Sequence, residues 1–123
     1  MKRGVLCISH GSRSPKTKLE IEEILLFLKA QSLIPVFEFA FLEIESPSIL
    51  EGIENCVNKG AEEIIILLNF LNSGQHVDID IPKILDEAKI KYPSIEFHLT
   101  KPLGQYPGII DLFLNILNHY EKK

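Results

Sequence analysis

The run Glu63-Ile64-Ile65-Ile66-Leu67-Leu68 constrains this chain more than any other feature. It is nearly continuous apolar sequence with no alternation of polar positions. That is the pattern of a strand buried on both faces, and such strands sit at the centre of parallel sheets covered by helices on each side. Three further apolar, β-branched or aromatic runs predict strands over Val5–Ser9, Val36–Leu42 and Ile95–Leu99. Longer segments of helical periodicity lie between them. After a turn at Gly11 to Ser14, Pro15 suits a first helical turn, where its missing N–H leaves no bond unmade. Leu19, Ile21, Ile24, Leu25 and Leu28 then recur at helical spacing. Further helices are expected over about Pro47 to Lys59, from Val77 or Ile81 to Ile90, and over about Pro107 to Tyr120. Ser46 is the expected N-cap of the second, with Pro47 at its first position and Gly60 ending it. The alternation predicts an α/β fold: a single three-layer domain, residues 1–123, with a four-stranded parallel sheet flanked by helices.

With 123 residues the chain is long enough for one hydrophobic core and too short for two. Its net charge of -4 argues against binding along a nucleic-acid backbone, which needs Lys and Arg gathered on one face. Any anionic ligand must be met locally. The apolar stretch after Met1-Lys2-Arg3 is far shorter than a signal-peptide core or a membrane span, so a cytoplasmic protein with no membrane association is expected. Cys7 and Cys56 have no metal-binding or redox spacing and read as buried, reduced thiols.

In a parallel sheet the loops after the strand C-terminal ends line one crevice. That rule brings together His10, Glu43, Ser46, His76 and Pro102-Leu103-Gly104. Two imidazoles and the Glu43 carboxylate form a ligand set that suits a divalent transition metal. An isolated histidine in such a chain is as often a hydrogen-bonded structural or surface residue; the pair at two strand ends is the stronger signal. His98, inside a strand, and His119, near a polar terminus, read as structural. Glu45 reads as a helix N-terminal charge, and Glu43 stays open between ligand and acid–base group.

Gly11-Ser12-Arg13-Ser14 opens a helix whose free N–H groups attract anions, with Arg13 and Lys16 adding charge; capping by Ser12 or Ser14 is the simpler reading. No GxxxxGK[ST] or GxGxxG pattern is present, so no nucleotide is expected. Ser9 and Ser12 flank His10, yet there is no nucleophile elbow to support covalent catalysis. Gly74 permits a tight turn that aims Gln75 and His76 inward, with an ordinary loop glycine the equal alternative.

These motifs, in this order, resemble the small single-domain sirohydrochlorin cobaltochelatases, within the wider class of chelatase-like proteins. The residues that carry the resemblance are Ser9-His10-Gly11-Ser12-Arg13, Phe41-Leu42-Glu43 with Ser46-Pro47-Ser48-Ile49, Phe70-Leu71 with Gly74-Gln75-His76, Asp80-Ile81-Pro82, and Pro102-Leu103-Gly104. Ser9 and Ser46 stand where the family commonly has a glycine and an acidic residue. The resemblance implies ATP-independent insertion of Co²⁺ into sirohydrochlorin, on the anaerobic route to cobalamin, by a homodimer. Close relatives insert Fe²⁺ for sirohaem or Ni²⁺ for coenzyme F430. It further implies that His10 binds metal and accepts a proton, that His76 is a second ligand, and that Ser46 and the segment Leu71, Asn72, Ser73, Gly74, Gln75 and His76 contact the tetrapyrrole. Arg13 is expected to meet substrate carboxylates. A non-catalytic carrier of metal or tetrapyrrole would use the same crevice.

Overall fold

The structure, a computed structural model, describes residues 1–121. Its strands are β1 (Arg3–Ser9), β2 (Val36–Phe41), β3 (Glu63–Leu68) and β4 (Glu96–Leu99), and its α-helices are α1 (Pro15–Gln31), α2 (Ile49–Asn58), α3 (Ile81–Lys91) and α4 (Gly108–Glu121). They form one four-stranded sheet in the order β2-β1-β3-β4, every pair parallel, as the alternating pattern predicts. β1 and β3, the two most aliphatic strands, take the inner positions.

Each face of the sheet has its own core. On one face Leu6, Ile8, Ile64, Ile66 and Leu68 pack under Ile49, Ile53 and Cys56 of α2 and Ile81, Leu85 and Ala88 of α3. Gly52 lets α2 lie close to the strands: a Cβ there would stand 2.8 Å from Leu6 Cδ1 and 2.9 Å from Ala40 Cβ. On the opposite face Ile21 and Leu25 of α1 cover Cys7 and Phe41, with Phe37 and Phe39 against them.

That second layer is incomplete. A helix is about 10 Å across and strands lie about 4.8 Å apart, so one helix covers about two strands. α1 covers β1 and β2, and on this face Ile65 and Leu67 of β3 are only half-buried. The expectation that β3 is buried on both faces therefore holds for one face alone. Leu19 and Ile24, also assigned to the apolar face of α1, remain 63% and 52% exposed. α4 forms where its periodicity places it, yet none of its residues is buried.

Two local expectations change. The N-cap of α2 is Ser48, two residues after Ser46, because Ser48 and Glu51 make a complete capping box: Glu51 N–H donates to Ser48 Oγ at 3.2 Å and Ser48 N–H to Glu51 Oε1 at 2.9 Å. Pro47 follows a cis peptide bond and stands outside the helix. Before α3, residues His76–Asp80 form one wide π-helical turn, in which Ile81 N–H donates to His76 O. Gly74 has no positive φ and faces open space, so the backbone there does not require glycine. No helix is long and apolar enough to cross a membrane among the described residues.

Candidate metal centre

The C-terminal ends of β1, β2 and β3 place His10, Glu43 and His76 at one spot. One ligand atom from each lies within 4.8 Å of the others, and the two imidazole rings are 5.1 Å apart at their centroids. Backbone bonding sets this up. Leu42 N–H donates to Ser9 O (2.9 Å) and Glu43 N–H to His10 O (3.1 Å), so the β1–β2 pairing continues past the strand ends into the site. Asn69 is held by its N–H to Ile8 O (2.8 Å) and its Nδ2 to Ser9 Oγ (3.0 Å), which anchors the start of the loop that carries His76.

Gly11 and Ile44 let the segments approach. Gly11 has φ +108°, and a Cβ on it would stand 1.9 Å from Glu43 O. Ile44 has φ 73°, an uncommon value for a β-branched residue. Glu45 N–H donates to Glu43 O across it (2.8 Å), which makes a tight, strained γ-turn. Strain of this kind persists only where surrounding structure enforces it, and here it fixes Glu43 beside His10.

The imidazoles are bonded differently. His76 Nδ1 is 2.7 Å from Asp80 Oδ2, four residues on across the π-turn. A carboxylate on Nδ1 fixes the tautomer and leaves Nε2 free to bind metal. His10 Nε2 is 2.7 Å from Glu43 Oε1, and its Nδ1 is 3.2 Å from Gly11 O. Both ring nitrogens thus face oxygen, so this arrangement accommodates a ring carrying two protons; a metal at Nε2 would replace one. His10, Glu43 and His76 are 45%, 51% and 47% exposed at their side chains, open enough to meet a large ligand.

The other candidate residues are placed around this trio. Leu71, Asn72, Ser73, Gly74 and Gln75 form an exposed loop leading to His76. Pro102-Leu103-Gly104 lies against it, with Leu103 N–H on Phe70 O (2.7 Å) and Gly104 N–H on Leu71 O (2.8 Å). Arg13 and Ser46 are exposed, at the start of the chain into α1 and in the segment before α2. Ser14 caps α1 without a side-chain bond, while Ser12 Oγ accepts Ser14 N–H at 3.1 Å. Glu45 accepts Ser12 N–H at 2.8 Å, so it secures the Gly11–Ser14 loop rather than the first turn of α2. Asp80 was visible in the sequence at i,i+4 from His76, a spacing that puts two residues on one helical face; no sequence signal identified the link from Glu45 to Ser12.

Burial pushes the thiol of Cys7 up to about 11 and that of Cys56 up to about 12, so both are protonated and inert at neutral pH. A second trio, Glu63, Glu96 and His98, lies near the strand N-terminal ends. There Arg3 Nε already donates to Glu63 Oε1 at 2.7 Å.

The fold and trio together define an α/β protein with a candidate divalent-metal site at the strand ends. The CbiX family model matches residues 4–120, and the chain belongs to the CbiX family. It is 37% identical to a sirohydrochlorin cobaltochelatase of Saccharolobus solfataricus, over 98% of this chain and 97% of that one. It is 36% identical to a sirohydrochlorin ferrochelatase of Bacillus subtilis, over 85% of this chain and 40% of that one. The crystal structure of the sirohydrochlorin chelatase SirB from Bacillus subtilis subspecies spizizenii, in complex with cobalt, superposes with a TM-score of 0.86 at 34% identity, covering 97% of this chain and 51% of that one. The chain spans about half or less of the length of several curated relatives it matches.

Proposed function

We propose that this protein is a sirohydrochlorin cobaltochelatase, a lyase-class enzyme built as one chelatase-like domain. It exchanges the two pyrrole N–H protons of sirohydrochlorin for Co²⁺ without consuming a nucleotide. The observation that carries this reading is the convergence of His10, Glu43 and His76 within 4.8 Å at the strand ends of a CbiX-family chain. Imidazole and carboxylate donors equally accept Fe²⁺ and Ni²⁺, so the choice of cobalt rests on similarity to cobaltochelatases.

In this reading His76, with Nδ1 held by Asp80, and His10 bind the incoming ion through Nε2, and Glu43 supplies an oxygen. As the ion passes to the macrocycle, His10 is freed beside the ring and takes up a departing N–H proton, a task for which a neutral imidazole is suited near pH 7. Glu43, at 2.7 Å, stabilises the resulting imidazolium and passes the proton on to solvent, which returns His10 to its neutral form to take up the second. The loop Leu71–His76 and Ser46 contact the ring, and Arg13 meets its carboxylates.

A shallow site half-exposed to water encloses little of a macrocycle, so a homodimer in which two domains face one substrate is part of this proposal. Two copies of the chain also match the length of the longer relatives. Reduced, buried cysteines fit a cytoplasmic setting.

Incubating the protein with sirohydrochlorin and Co²⁺, Fe²⁺ or Ni²⁺ while following the absorption spectrum tests the proposal and ranks the metals. Acceleration over the spontaneous rate, fastest with Co²⁺, is expected. Tight binding of metal or tetrapyrrole with no acceleration would identify a carrier instead.

A further inference from the structure

Ile44 holds a backbone conformation that destabilises the fold, at a position where glycine would not. Its φ of 73° lies in the left-handed region, where a β-branched side chain is an outlier. The γ-turn that fixes Glu43 needs such a φ, with Glu45 N–H donating to Glu43 O at 2.8 Å, but it does not need an isoleucine. Glycine reaches positive φ without a steric penalty. The turn accounts for the backbone and leaves the side chain unexplained.

That side chain stays out of the interior. Ile44 is 59% exposed and belongs to neither core. Its neighbours on both sides are committed to the site: Glu43 reaches His10 Nε2 at 2.7 Å, and Glu45 accepts Ser12 N–H at 2.8 Å. Ile44 Cβ lies 3.6 Å from the point that a Cβ on Gly11 would occupy, so it stands beside the residue that follows His10. The segment that supplies His76 likewise carries an exposed aliphatic side chain, Leu71, at 51%. Strain kept at such a place, with no packing inside the chain to explain it, points to a contact outside the chain.

We infer that Ile44 is a substrate-positioning residue: its side chain packs on an apolar face of the tetrapyrrole beside the metal trio and sets the plane of the ring against His10. The inference rests on sirohydrochlorin as the ligand in the reading above and adds a contact of a different kind. A tetrapyrrole carries its carboxylates on the rim and is apolar over its faces. Arg13 can hold the rim, whereas a face needs apolar cover. An ion passing from the trio meets the ring near its centre, which brings the residue next to a metal ligand within reach of that face. One strained turn thus sets the Glu43 carboxylate and an apolar surface side by side. Burying the exposed part of an isoleucine strengthens binding by about 10-fold.

The test compares the full chain with Ile44→Gly and Ile44→Leu by chemical denaturation, Co²⁺ titration, quenching of sirohydrochlorin fluorescence, and sedimentation. Ile44→Gly should be at least as stable as the unaltered protein and bind Co²⁺ equally well, yet bind sirohydrochlorin about 10-fold more weakly. Ile44→Leu, of equal volume, should keep most of the tetrapyrrole affinity. Unchanged sirohydrochlorin affinity in Ile44→Gly would overturn the contact. Lower stability of that variant would do the same by showing that the side chain packs within the fold, and weaker Co²⁺ binding by showing that it acts through Glu43. So would weaker tetrapyrrole binding that only accompanies loss of a dimer. If the expected pattern is found in a protein that inserts no metal, this inference stands and the chelatase reading is removed. Unaltered protein that binds no sirohydrochlorin would remove both.

Discussion

At the residue scale the site depends on two histidines whose ring nitrogens are held in different ways. In the proposed mechanism His10→Ala removes a metal donor and the proton acceptor together. Cobalt insertion should fall at least 100-fold while the thermal unfolding temperature stays within a few degrees, and turnover near the unaltered rate would sink the assignment. Asp80→Ala leaves every proposed ligand in place and frees the His76 ring. Loss of such an orienting carboxylate typically costs about 10- to 100-fold in metal affinity; titration with Co²⁺ followed by absorption would read it. Gly11→Ala acts through the backbone, since its Cβ would occupy the position of Glu43 O and its φ is positive. A cost of about 1–3 kcal/mol in chemical denaturation, with slower insertion, is expected.

At the element scale α2 gives the sharpest comparison between a sequence signal and its outcome. The pattern Ser46-Pro47 looks like an N-cap followed by proline, yet Ser48-x-x-Glu51 makes both capping bonds. Ser48→Ala should therefore cost about 1 kcal/mol, and Ser46→Ala almost nothing. Accepting the Ser48 backbone N–H and hydroxyl bonds holds the Glu51 carboxyl below its ordinary value of 4.5. A carboxyl whose folded pKa is depressed contributes stability above its unfolded pKa and loses it as pH falls through the folded one. The stability difference between the protein and Glu51→Gln should thus be full at pH 6 and close as the pH drops below 4.5. Boundaries were harder to read than elements because a cap is chosen by side-chain geometry over two or three residues. The existence of a helix follows from periodicity over a dozen.

At the scale of the whole molecule the two thiols report on packing. Cys7 and Cys56 lie in the two different cores, and burial raises both. Neither should react with a thiol reagent at pH 7 in the folded protein, whereas both should react at once in denaturant; rapid labelling of Cys56 in native buffer would contradict the core between α2 and the sheet. If sirohydrochlorin is the substrate, its carboxylates meet a chain of net charge -4, and the proposed contact with Arg13 and the helix N-terminus predicts binding that weakens as salt is raised.

By itself the sequence determined the α/β class, the four parallel strands and the strand ends that carry His10, Glu43 and His76, because strand and helix periodicities are local and the crossover rule fixes where loops emerge. It also predicted a β3 strand buried on both faces, which holds on the α2–α3 face alone. Tertiary structure alone decided that His10 bonds Glu43 while His76 bonds Asp80, that a strained turn at Ile44 fixes Glu43, and that Glu45 ties down Ser12. Those contacts depend on distances between segments remote in the chain. So does the uncovered face of β3: whether one helix or two lie over a sheet follows from the width of a helix and the direction in which α4 leaves it.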